Sequence, residues 1–131
     1  DILTEGIVLY NSGECQLATP RELNYSEILQ MAEEYYDTQF NRGKRFIRYT
    51  QIAYADNEIK DSSFFLHQAS ESFLKSIPLV YILYGYKEHE LEFLIERCKP
   101  YTLELAKVFP CDTKEEERLF KLLQRARLER D

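Results

Sequence analysis

Apolar positions recur at steps of about 3.6 residues through most of the chain, and the first twenty residues are the exception. There Ile7 to Tyr10 is a β-branched, apolar run, Asn11-Ser12-Gly13 is a turn signature, and Glu14 to Ala18 alternates polar with apolar residues up to Pro20. This predicts a short β-hairpin. Two strands alone are marginal in water, so the hairpin is expected to lie against a sheet or another domain. From Tyr25 the residues Ile28, Ala32, Tyr35, Tyr36, Gln39, Gly43, Phe46, Thr50 and Ala53 follow a helical step. They predict one long helix that starts near Ser26 and Glu27, is loosened near Gly43 and ends around Asp56-Asn57. A second helix is expected from Asp61 or Ser62, either of which could cap it, through Phe65, Ala69, Phe73, Ile77, Val80 and Tyr84, with a kink at Pro78 and an exit at Gly85. A third begins near Glu88 and puts Leu91, Leu94, Ile95 and Cys98 on one face; Pro100 interrupts it, and Tyr101, Leu105 and Val108 continue a short helical piece to Pro110. The last helix opens on a capping box, Thr113 with Glu116, and carries the stripe Leu119, Leu122, Leu123, Ala126. The expected fold is therefore all-α: an antiparallel bundle of four to five helices preceded by a short β-hairpin.

Composition narrows the class. The chain has 131 residues, is 44% hydrophobic and 31% charged and contains four Gly and four Pro, which suits one globular domain and excludes collagen-like and disordered classes. No apolar run is long enough to cross a membrane. The chain starts at Asp1, its single methionine is Met31, and the last helix reaches Asp131 without a stop signal, so it reads as a piece of a longer polypeptide. Cys15, Cys98 and Cys111 are an odd number of cysteines with no Cys-x-x-Cys pair. They favour neither a disulfide framework nor a zinc site, and suit thiols in a reducing cytoplasm. A net charge of −6 argues against bulk nucleic-acid binding, although an average can conceal local patches.

Two constellations could carry chemistry. Ser63, His67, Glu71 and Lys75 are spaced by four and share one face of the second helix. This polar ladder is either a solvated helix face or part of a ligand site, and a His-Glu pair without a nucleophile or a third orienting group does not define a reaction. Arg42, Lys44, Arg45 and Arg48 place four cations in seven residues with no acid among them, a candidate phosphate-facing surface. Arg125, Arg127 and Arg130 form a second basic segment. Tyr35, Tyr36, Tyr49, Tyr54, Tyr81, Tyr84 and Tyr86 are expected in a polar-edged core or a subunit interface. The sequence contains no Gly-rich phosphate loop and no metal-ligand spacing, so no metal site is assigned.

The stretch Phe64-Phe65-Leu66-His67-Gln68-Ala69-Ser70-Glu71-Ser72-Phe73-Leu74-Lys75, then Gly85-Tyr86-Lys87, then His89-Glu90-Leu91 resembles the HEPN family of helical-bundle domains. The likeness covers roughly residues 28 to 131. The family pattern has Asp where Glu90 stands and a longer segment between Lys87 and His89. Asp1 to Leu23 is similar to the tail of a minimal nucleotidyltransferase domain of the kind fused ahead of HEPN domains. Its Gly-Ser and Asp-x-Asp core is not present here. The resemblance implies residues 1–23 as the tail of a preceding nucleotidyltransferase domain and residues 24–131 as a C-terminally truncated HEPN domain. It implies an accessory domain, not catalytic alone, that dimerises through its helices and binds a nucleotide or substrate. His67, Gln68, Glu71, Lys75, Arg45 and Arg48 are the candidate binding residues, and catalytic residues are unassigned. No cofactor is expected in this segment; a nucleoside triphosphate and magnesium would belong to the absent domain. A module binding RNA or a nucleotide phosphate, or a toxin-antitoxin-type domain, is the alternative. Ribonuclease branches carry Arg, four to six residues, then His; no such spacing occurs here, so no RNase activity is expected of this segment.

Overall fold

The structure, a computed structural model, describes residues 21–128 together with Gly6, Ile7 and Ser12. Among the described residues there are five helices, in the order α1 (Tyr25–Ala55), α2 (Ile59–Ile82), α3 (Leu91–Cys98), α4 (Leu105–Val108) and α5 (Lys114–Arg125), and no strand. The all-α expectation is met. The hairpin expected over residues 7–18 falls almost wholly outside the described residues.

α1 starts one residue before the expected Ser26. Asn24 is its cap: the Asn24 side chain accepts from the Glu27 backbone N–H, and the Glu27 carboxylate accepts from the Asn24 N–H. Arg21 grips the same carboxylate with two hydrogen bonds, of 2.9 and 2.6 Å, and those bonds, aided by the Asn24 amide, hold Glu27 down to about 2. The far end closes by geometry. Asn57 takes a left-handed conformation (φ 62°), and the N–H groups of Asn57 and Glu58 reach back to the carbonyls of Tyr54 and Ala53. This pairing satisfies carbonyls that the helix end would leave open.

α2 begins at Ile59, ahead of both expected caps, and its cap residue Glu58 makes no side-chain bond to the helix. Ser62 has a different task. It is buried, and its hydroxyl donates across the hairpin to the Thr50 carbonyl of α1 at 3.1 Å. α1 and α2 lie along each other through small and aromatic residues. Gly43 is a point of close approach rather than of loosening: a Cβ there would stand 2.6 Å from the Phe73 ring. Phe73 also packs on Phe40, and Phe65 packs on Phe46 and Tyr49.

α2 runs through Pro78 and ends at Leu83, two residues before the expected Gly85 exit, in the left-handed conformation (φ 53°). A Cβ at Gly85 would meet only ordinary contact with Leu79, so nothing there demands a glycine. Pro78 has no N–H for the Leu74 carbonyl one turn earlier. The Cys98 thiol of α3 supplies the missing donor, reaching that carbonyl at 3.3 Å. Burial pushes this thiol up to about 11, so it remains the protonated donor the contact needs. Around this bond sits the main core, Leu74, Leu91, Leu94 and Cys98, flanked by Ile77, Phe93, Phe109, Phe120 and Leu123.

α2 thus makes the principal contacts to α1, α3 and α5. Among the described residues α2 is the one helix that packs extensively on α1, and much of the other face of α1 is exposed. Tyr35, Tyr36, Tyr49 and Tyr54 are exposed, with Tyr81 and Tyr84 near the end of α2, so of the two expectations, a polar-edged core or a subunit interface, the core is not met for these six. Tyr86 alone of that set packs inward, edge-on to Tyr84 and Phe93. The α5 capping box is as expected, whereas Leu119 and Leu122 of its stripe remain half exposed.

Two stability measurements follow. Gly43→Ala should lower stability in urea denaturation by about 1–3 kcal/mol through the forced ring displacement, although alanine favours a helix by about 1 kcal/mol; an unchanged or raised midpoint would contradict the close approach. Cys98→Ala should cost about 1–3 kcal/mol by stranding the Leu74 carbonyl, and less in a Pro78→Ala background, where residue 78 regains an N–H. Equal costs in the two backgrounds would show that the thiol does not satisfy that carbonyl.

Candidate functional site

The polar ladder of α2 is not a solvated face. His67 is 1% exposed and the Glu71 side chain 8%, with Lys75 at 13%. α1 packs on one side of this face and residues 83–90 fold back over another, which removes water from side chains that spacing alone would leave wet.

Glu71 is the centre of the cluster. Its Oε1 accepts from Lys75 Nζ at 2.9 Å and pairs with His89 Nδ1 at 2.8 Å. An ionised carboxylate only accepts, so His89 presents Nδ1–H to it. Burial by itself would push the Glu71 carboxyl up, but the hydrogen bonds from Lys75 and His89, with their charges, outweigh it and hold the group below its ordinary value. Oε2 is left without a hydrogen-bond partner, as is His67 Nδ1, which lies 4.0 Å away and beyond hydrogen-bond reach. Burial holds His67 below its ordinary value; Glu71 pulls the other way, while Arg127 and His89 reinforce the lowering. A neutral imidazole therefore sits under a charged carboxylate that has one oxygen to spare.

Above this pair opens a cavity of about 380 Å³. α2 gives it a floor of Gln68, Glu71, Ser72 and Lys75; α1 contributes Gln39 and Arg42, the 83–90 segment Tyr86 and His89, and the chain after α5 Arg127. Of the residues expected in a binding site, Gln68, Glu71 and Lys75 line the cavity, and His67 lies beneath its floor. Arg45 and Arg48 stand exposed on α1 outside the lining, where Arg42, from the same cluster, takes the place in it. Sequence reasoning placed Arg42 in the basic cluster but singled out Arg45 and Arg48 from it, and it did not assign His89 or Arg127 to the site. His89 is eighteen residues from Glu71 and Arg127 lies on a different element, so no helical period links them to it.

The balance of groups defines what the cavity suits. Arg42, Lys75 and Arg127 line it with His89, against the single carboxylate of Glu71, already engaged by two of them. The Arg42 guanidinium also lies over the Phe46 ring, 5.7 Å from its centroid. Two arginines from separate elements with amides and a hydroxyl nearby have the chemistry that suits a planar or tetrahedral oxyanion. No group of three His, Cys, Asp or Glu among the described residues is placed to hold a metal ion.

The two downward shifts fix a pH dependence. Between each group's ordinary value and its lowered one, the unfolded chain binds more protons than the folded one, so stability rises with pH there. Thermal midpoints should be highest above about pH 6.5, the ordinary value for His67, fall as pH drops below it, and fall further below 4.5, the ordinary value for Glu71. His67→Gln should remove the first fall and Glu71→Gln reduce the second. A native profile that is flat from pH 7 to 5 would contradict the buried neutral imidazole.

No model of a known protein family matches the chain, and no curated protein matches its sequence.

Proposed function

We propose that the described helices form a HEPN-type accessory domain of a nucleotidyltransferase, which binds a nucleotide through its phosphate and is not catalytic alone. The carrying observation is the cavity in which Arg42, Lys75, His89 and Arg127 converge around one carboxylate. Three separate features support this reading. The Phe64 to Lys75 stretch and the His89-Glu90-Leu91 segment, which carry the sequence resemblance, meet in space through the Glu71 to His89 contact. The cavity volume of about 380 Å³ falls in the range of small-ligand pockets. Its amides, Gln39 and Gln68, are neutral groups suited to a base or ribose edge.

Phosphate recognition rests on the two arginines. Lys75 and His89 are committed to Glu71, which orients them and offsets their charge. Arg42 and Arg127 carry positive charge with no carboxylate bonded to them among the described residues. In this reading the preceding domain holds the nucleoside triphosphate and magnesium, and the helical domain receives the substrate. Dimerisation belongs to the same proposal, and the exposed part of α1, with Ile28, Leu29, Tyr35 and Tyr36, is the surface available for it.

Binding of adenosine 5′-monophosphate, measured by calorimetry on the chain, tests the phosphate reading. Arg42→Ala and Arg127→Ala should each weaken it about five- to tenfold, as expected for charge-assisted bonds at partly solvated sites. An affinity unchanged in the double variant would overturn the assignment.

A further inference from the structure

Two polar atoms inside the bundle have no partner among the described residues, and they are neighbours. His67 Nδ1 and Glu71 Oε2 are both buried, neither forms a hydrogen bond, and 4.0 Å separates them. An N–H aimed at a carboxylate oxygen closes to about 3 Å. Two acceptors do not. The gap is the spacing of a bare ring nitrogen held opposite a carboxylate oxygen, which assigns the single N–H of the neutral ring to Nε2. One proton on Nδ1 would satisfy both atoms at once, with a short adjustment of two side chains one turn apart on α2.

The surroundings keep that proton off. His67 has Glu71 and Lys75 beside it on its own helix, His89 from the 83–90 segment, Arg127 from the chain after α5 and, across the cavity, Arg42 of α1. Glu71 favours a charged imidazole, whereas burial and the charges of Arg127 and His89 oppose one. Of these opposing influences, the one that a ligand can cancel is Arg127. It lines the cavity above the pair, where an oxyanion would lie against it. An anion in that place offsets the repulsion that Arg127 exerts on the ring beneath, and it attracts a charged ring in its own right.

We infer that the cavity takes its oxyanion together with a proton, which His67 holds against Glu71 beneath the floor. This rests on the oxyanion reading of the cavity, though on no particular oxyanion, and adds the regulation of that site. The proton comes from solvent, and the Nδ1–H bond is the only bond made. Because both events act on one set of charges, each raises the affinity for the other by the same factor. The sign follows. The anion binds more tightly in acid, where His67 is charged, and loses that gain as rising pH strips the proton from the ring. The arginines supply the basal affinity and the proton adjusts it, so the site captures an anion in a mildly acidic medium and lets it go more readily in an alkaline one.

The test reads His67 itself, because His89 lies in the lining and responds to an anion on its own account. The chain has two histidines, so nitrogen NMR of the rings resolves both, and a His89→Gln chain assigns them. Inorganic sulfate is the probe, at ionic strength matched with sodium chloride, since its own charge is constant over the histidine range of about pH 5 to 8. Without sulfate, Nδ1 of His67 should be bare at neutral pH and gain its hydrogen only in acid. Under saturating sulfate the proton affinity of His67 should rise about fivefold, the low end of couplings between sites. Arg127→Ala should raise that affinity without any ligand, and sulfate should then move it less. His67 stays unsubstituted, so no variant has to tolerate a change in the core. A His67 titration that bound sulfate leaves in place would overturn the proton coupling and leave the oxyanion site standing. An Nδ1 already carrying hydrogen at neutral pH, or a His67 indifferent to Arg127→Ala, would overturn the coupling as well. Sulfate that binds at neither end of the range would sink the oxyanion reading and this inference with it.

Discussion

A charge removed from water must be met by opposite charge and by hydrogen bonds, or it destabilises the fold that buries it. Glu71 is that charge here. It sits on α2, the helix against which α1, α3 and α5 all pack, so its surroundings are set by the whole bundle rather than by its own turn. Lys75 reaches it from the next turn and His89 from the segment that returns after α2. The contact with His89 holds that returning segment against α2, and with it the wall that closes one side of the cavity. The single carboxylate therefore links the central helix, the path of the chain out of it and the shape of the candidate site.

The same helix shows how a local defect is repaired at a distance. Pro78 is compatible with a buried helix only if the carbonyl it cannot serve finds another donor. The Cys98 thiol provides one, and in doing so fixes where α3 lies against α2. Gly43 makes a comparable arrangement on the opposite side, where the absent side chain makes room for the Phe73 ring. Packing on both sides of α2 is thus specified by what one residue lacks and its neighbour supplies. The polar groups of Ser62, Ser70 and Ser76 fit this scheme, since each hydroxyl donates to a backbone carbonyl.

Charge along the surface follows a different logic. The exposed ion pairs Arg118 with Glu115 and Lys121 with Glu117 lie within one helix and contribute little to stability in water. The cations of α1 from Arg42 to Arg48 have no acidic partner in sequence on their own stretch of helix. A helix that carries four cations without local compensation presents a field to solvent, and that field is continuous with the cavity through Arg42.

Helical periodicity, capping residues and proline positions were enough to determine the helical class, the long first helix, the passage through Pro78 and the capped start of α5, because these depend on contacts within a few residues. Termini were less legible. The cap at Asn24 and the left-handed Leu83 turn on which hydrogen bonds the backbone completes, and Ser62 resembled a cap while its hydroxyl serves α1. The ladder at Ser63, His67, Glu71 and Lys75 was visible as a spacing, yet spacing is the same for a wet face and a buried one. Only the packing of α1 and of residues 83–90 over that face excluded water from it, joined His89 to Glu71 across eighteen residues, and brought Arg42 and Arg127 to one cavity. The sequence by itself determined which side chains share a helix face; the tertiary structure decided which of those faces lost their water, because desolvation depends on what the rest of the chain lays over them.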